Sequence, residues 1–127
     1  MSNNTGVLVY CEVSGEKLAP ISLEVLGAGS RLARSLGQPL SALLIGSGIS
    51  GIGREAIAYG ADRVYIVDEP AVKDYSTEPY QIALEKVVQQ ALPAIILMGQ
   101  TFTGRDLAPW LAFRLNTGAT MDCLALE

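Results

Sequence analysis

Leu40-Ser41-Ala42-Leu43-Leu44-Ile45 runs directly into Gly46-Ser47-Gly48-Ile49-Ser50-Gly51-Ile52-Gly53. A short, almost wholly apolar run bounded by turn residues has the pattern of a strand buried on both faces. The glycines that follow supply the backbone freedom of a tight turn. Arg54 to Tyr59 then reads as a short helix stopped at Gly60, a natural left-handed cap. Strand, glycine turn and helix in that order are one unit of a layered α/β domain.

The same unit recurs on both sides. Upstream, Gly6 to Val13 is a β-branched apolar run, and Ser14-Gly15-Glu16-Lys17 is a polar turn. Pro20 falls where a helix start tolerates it, and Leu23, Leu26, Leu32 and Leu36 space a helix from Ile21 to Leu36, closed by Gly37. Gly27 and Gly29 are expected to weaken its middle turns. Downstream, Arg63 to Val67 is a strand ending at Asp68-Glu69-Pro70, and a helix follows from about Glu78 to Ala91. Pro93 ends that helix, Ala94 to Met98 is a strand, and Gly99 to Gly104 is a tight loop. Arg105 to Leu115 is a further helix and Thr120 to Leu126 a fifth strand. Strands alternating with helices through short loops imply right-handed crossovers. The expected fold is a doubly wound, Rossmann-like parallel sheet of about five strands with helices on both faces. A chain that stops at Glu127 directly after a strand is expected to be a domain truncated at its carboxyl end.

Composition narrows the function. The 127 residues suffice for one domain, and with 50% hydrophobic but 6% aromatic residues the core must come from Val, Ile, Leu and Ala. The net charge is −4 with no basic cluster, which argues against nucleic acid and anionic membrane as partners. No apolar run approaches the ~20 residues of a membrane span, and Met-Ser-Asn-Asn-Thr lacks the features of a secretion signal. A cytoplasmic protein is expected. Histidine is absent, which removes Ser-His-Asp and Cys-His catalysis and the commonest metal ligand. Cys11 and Cys123 lie far apart in apolar runs and read as buried free thiols.

Two stretches invite a ligand. Gly46-x-Gly48-x-x-Gly51 matches the dinucleotide fingerprint and Asp68 ends the next strand, where a carboxylate could hold ribose hydroxyls. Against this, the motif follows the second strand rather than the first, and Gly51 to Gly60 leaves room for only about two helical turns. A tight turn built from glycine is the preferred reading. The second stretch is Gly99 to Asp106, at the carboxyl end of the fourth strand. Thr101, Thr103, Gly104 and Arg105 could bind a phosphate at a helix start. The structural alternative, also preferred on spacing, has Thr103 capping the helix, Asp106 favouring its dipole and Arg105 paired locally. Leu107, Leu111 and Leu115 share a face of that helix, and Trp110 lies on another, fit either to anchor a partner or to pack on a loop.

These residues carry a resemblance. Gly104-Arg105-Asp106-Leu107-Ala108-Pro109, with Leu111-Ala112 and Asn116-Thr117-Gly118, resembles the hallmark stretch of electron-transfer flavoprotein alpha subunits. Asp122-Cys123, Ala125-Leu126-Glu127, Tyr59 to Val64 and Leu44 to Gly48 extend it, and Glu12 through Lys17-Leu18 and Pro20 looks like the family's first strand and turn. Trp110 departs from it, standing where the family usually carries an arginine. The resemblance implies the amino-terminal domain of such a subunit, paired with the homologous domain of a beta subunit. FAD would lie on a carboxyl-terminal alpha domain absent here, and any further nucleotide on the beta subunit. The chain would then be a structural and interface domain without catalytic residues or a cofactor of its own. The complex would carry electrons between flavin dehydrogenases and an acceptor. Exposed apolar surface is expected where the beta subunit docks. The competing expectation is a free-standing adenine-nucleotide-binding module comparable to universal stress proteins; an NAD-dependent dehydrogenase is remote, for want of a proton-handling group.

Overall fold

In the computed structural model the backbone is described for residues 5–99, 101, 103, 106, 107 and 120–124. Its elements are β1 (Val7–Cys11), β2 (Val13–Ser14), β3 (Lys17–Leu18), α1 (Pro20–Leu36) and β4 (Leu40–Gly46). They continue as α2 (Gly53–Ala58), β5 (Arg63–Asp68), α3 (Thr77–Ala91), β6 (Ile95–Gly99) and β7 (Thr120–Leu124). Five strands pair in parallel in the order β5-β4-β1-β6-β7, with Val7 opposite Leu40 and Ile95, and Ser41 opposite Arg63. The chain leaves β1 first toward β4 and β5 and later toward β6 and β7. The order therefore reverses between β1 and β6, the topological switch point of such sheets.

Alternation of side chains along the inner strands builds two cores. On one face Val7, Val9, Leu40, Ala42, Leu44 and Leu97 pack with Val25, Leu26 and Ala33 of α1 and Ala56 of α2. On the other, Leu8, Tyr10, Leu43, Ile45, Ile96 and Met98 pack with Leu84, Val87 and Val88 of α3 and with Leu107. Burial on both faces explains the near-continuous apolar reading of β1 and β4. Helices on both faces of a parallel sheet are the architecture the alternation predicts.

The helix boundaries follow the proline and glycine punctuation. Pro20 opens α1 and Gly37 ends it with φ 67°. The Gly37 N–H donates to Arg34 O and the Gln38 N–H to Ala33 O, the paired bonds of a Schellman closure. At the end of α3, Leu92 takes φ 50° and its N–H donates to Val88 O, just before Pro93. Two details differ from the sequence reading. The first strand stops at Cys11, and Val13–Ser14 turns through Gly15, at φ 68°, into a two-residue hairpin with Lys17–Leu18. Gly29 does not simply loosen α1. An ideal Cβ there would lie 2.7 Å from Val9 Cγ2, so its bareness lets α1 approach β1. Most of the helix expected from Arg105 to Leu115, with Trp110, lies outside the described residues, as do Ala125 and Leu126; Thr103, Asp106 and Leu107 are helical.

Candidate functional site

The carboxyl ends of β1, β4 and β6 open into a cleft of about 280 Å³ whose lining includes Tyr10, Glu12, Ser47, Lys73, Tyr75 and Thr103. Here the backbone of Glu12 is fixed by the buried Ser22. The Glu12 N–H donates to Ser22 Oγ at 2.6 Å, and that hydroxyl donates to Glu12 O at 2.9 Å. So anchored just past β1, the Glu12 carboxylate accepts a hydrogen bond from Thr101 Oγ1 just past β6. The contact spans the switch point itself.

The glycine turn lies one strand away. After Gly46 the chain passes through Gly48 at φ 70° and a 3₁₀ turn at Ser50–Ile52, then enters α2, which is six residues long. Asp68 closes the turn: its carboxylate accepts the Gly48 N–H at 2.7 Å and the Ile49 N–H at 3.1 Å. The structure thus brings Gly48 and Asp68 together, with the acid bound to the amides that a pyrophosphate would need. Gly51 sits exposed in the 3₁₀ turn with open space around it, and Gly46 is backed by Ile49. Removing a charged acceptor of two backbone amides at a partly exposed site should destabilise the domain by roughly 1.5 kcal/mol. Asp68→Ala is expected to show that loss in urea unfolding, and no change in the midpoint would refute the bracing role.

Of the second sequence candidate, Thr101 bonds to Glu12 and Thr103 lines the cleft, while Gly104 and Arg105 lie outside the described residues. Asp106 does more than favour a helix dipole. It accepts hydrogen bonds from Tyr75 Oη and, at 2.9 Å, from Thr77 Oγ1 at the first turn of α3. These bonds, that from Tyr75 first, hold the Asp106 carboxyl below its ordinary range. Desolvation and then the Asp106 bond push the Tyr75 phenol up to about 12. Tyr75 meets Tyr80 edge-on at 4.8 Å, and the Tyr80 hydroxyl donates to Val72 O at 3.1 Å. Burial raises the Tyr10 phenol as well, so both it and Tyr75 stay protonated at neutral pH. Glu12, Ser22, Tyr75 and Tyr80 were not singled out from sequence as parts of this site, because their partners lie 8 to 89 positions away along the chain.

Chemically the cleft is quiet. The hydroxyls of Thr101 and Tyr75 and the amides of Gly48 and Ile49 are engaged with the chain's own carboxylates, and the Tyr80 hydroxyl with backbone carbonyls. Cys11 is buried, its thiol pushed to about 12 by desolvation, which leaves it unreactive. No metal-ligating cluster exists among the described residues, and no described helix is long and apolar enough to cross a membrane.

A parallel sheet in this order, covered on both faces and with its crevice at the switch point, defines a Rossmann-like α/β domain. The chain belongs to the electron transfer flavoprotein domain family, whose model matches residues 7–127. The electron transfer flavoprotein subunit alpha of Thermoanaerobacterium thermosaccharolyticum is 39% identical over 127 residues, all of this chain and 38% of that protein. Protein FixB of Clostridium saccharobutylicum is 41% identical over 122 residues, 96% of this chain and 36% of that one. The chain therefore spans less than two fifths of the length of these relatives. Among solved structures, a universal stress protein from Archaeoglobus fulgidus superposes with TM-score 0.64 at 12% identity, over 95% of this chain and 93% of that one. At that identity the likeness is one of fold. The likeness to alpha subunits, by contrast, runs the length of the chain.

Proposed function

We propose that this chain is a structural and interface domain of an electron-transfer flavoprotein alpha subunit. It pairs with a beta subunit, and the resulting complex carries electrons between flavin dehydrogenases and an acceptor. The observation that carries this reading is the family match over residues 7–127, joined to a switch-point crevice in which the Gly48 and Ile49 amides and the Thr101 hydroxyl are held by the chain's own carboxylates. The chain contributes packing surface; the redox chemistry belongs to other parts of the assembly.

FAD is the cofactor the family implies, and the switch-point cleft does not fit it. The cleft of about 280 Å³ falls below the roughly 300–1,000 Å³ of ordinary ligand pockets, before a dinucleotide is considered. Glu12 and Asp74 outnumber Lys73 in its lining, and Asp68 already occupies the turn amides that a pyrophosphate would need. In this proposal the flavin sits on parts of the subunit beyond these 127 residues, and the chain works in the cytoplasm. An adenine-nucleotide module is disfavoured by the same contacts.

Co-expression with the beta subunit encoded in the same genome tests the interface role. A stoichiometric complex that survives gel filtration is expected. Separate elution of two folded chains at micromolar concentration would contradict it.

A further inference from the structure

We propose that the free edge of β5 is a docking surface for a second copy of this chain, the two β5 strands pairing antiparallel about a two-fold axis at Ile66. The inference is independent of the function proposed above.

Among the described residues β5 has β4 on one side and no strand on the other. Alternate residues of an edge strand hold their N–H and C=O groups outward, and chains usually blunt such edges with an inward charge, a proline or a bulge. The interior of β5, Val64-Tyr65-Ile66-Val67, has no charge and no proline; its charges stand at the ends, on Arg63 and Asp68. Apolar side chains flank the edge on both faces. Ile66 is 36% exposed, Ile57 of α2 57% and Ile82 of α3 53%. Gly53 lies against Ile66, its absent Cβ leaving α2 low beside the strand. On the α3 face, Tyr65, Val67, Pro79, Ile82 and Lys86 border an open groove of about 600 Å³.

Symmetry then selects the occupant. A two-fold axis perpendicular to the sheet keeps each face on its own side, so residues that oppose one another must share parity. With the axis at Ile66, Ile66 meets its own copy on the α2 face, where the exposed isoleucines lie. On the α3 face Tyr65 of each chain stands opposite Val67 of the other and enters the groove bordered by Val67 and Ile82. Arg63 falls opposite Glu69 of the second copy, twice over. One register therefore buries Ile66 against its copy and Tyr65 against Val67 and matches Arg63 with Glu69, with Val64 facing Asp68 near the strand ends.

Sedimentation equilibrium of the 127-residue chain gives the first readout, and a monomer–dimer equilibrium is expected. Ile66→Lys sets two ammonium groups across the axis and should yield a monomer with unchanged circular dichroism. Arg63→Glu should raise the dissociation constant about tenfold, and adding Glu69→Arg should restore it. Opposed residues of antiparallel strands have Cα atoms about 4.5–5.5 Å apart, within disulfide range. In a Cys123→Ser background, Ile66→Cys should therefore cross-link under mild oxidation, whereas Val64→Cys, facing Asp68, should not. A chain that is monomeric at every concentration would overturn the proposal, as would a dimer indifferent to Ile66→Lys or one cross-linking better through Val64→Cys. Docking of this edge on a different protein in preference to its own copy would overturn it too.

Discussion

Leu43→Ala should lower the unfolding free energy by about 3 kcal/mol, near the middle of the range for emptying a buried leucine site. Leu43 lies on β4, one strand from the sheet centre, with no exposed surface, in the core that α3 closes. β4 itself is paired on both sides, by β5 and β1, so the cavity can collapse only partly. Against a total stability of roughly 5–15 kcal/mol the loss is large. Urea unfolding followed by circular dichroism checks it. A decrease of less than about 1 kcal/mol would mean that this core is not packed as described.

The second large effect separates two glycines that look alike in sequence. Gly29→Val should cost about 3 kcal/mol, the upper end for overpacking a core, because its Cβ would lie 2.7 Å from Val9 Cγ2 and 3.1 Å from Leu40 Cδ1. Either α1 lifts from the sheet or β1 shifts. Gly27, two positions earlier in the same helix, meets only the Arg31 guanidinium, at 3.7 Å. Gly27→Ala should therefore stabilise the helix by roughly 0.5–1 kcal/mol. Thermal or urea midpoints of the two variants should move in opposite directions. If both fell together, the close approach of α1 to β1 would be wrong.

Those glycines show what was legible in the sequence. Pro20, Gly37, Gly60 and Pro93 marked helix limits because each acts through its own backbone geometry, which neighbours hardly alter. The apolar runs at Val7–Cys11, Leu40–Gly46 and Ile95–Gly99 announced buried strands, since a strand covered on both faces leaves no polar alternation. β5 escaped that logic. Arg63 to Val67 reads as a strand, but nothing in Val64-Tyr65-Ile66-Val67 marks it as the edge it forms among the described residues, because strand order is a tertiary property. The hairpin at Val13–Leu18 has two residues per strand, too few for any period to show. Gly29 reads as a weak point of its helix because its reason for being glycine sits on neighbouring strands.

The site was legible in its parts and not in its wiring. Gly48 and Asp68 read in sequence as a possible ligand pair; the structure joins them to each other. Thr101 reads in sequence as a possible anion donor, but Glu12, 89 positions earlier, takes its hydroxyl. Asp106 reads in sequence against its own helix, yet it accepts hydrogen bonds from Tyr75 and Thr77. In each case a polar group was identified correctly, while its partner came from a distant element that only the folded sheet brings near. Bonds between a carboxylate and a neutral donor are roughly twice as strong as neutral ones, so such pairings hold the crevice in its present form.

Equilibrium dialysis of the purified chain against FAD, and separately against AMP, measures the central claim directly. The account predicts a colourless protein with equal ligand on both sides of the membrane up to millimolar concentration. A yellow protein retaining one flavin per chain, or one AMP displaced by pyrophosphate, would contradict it.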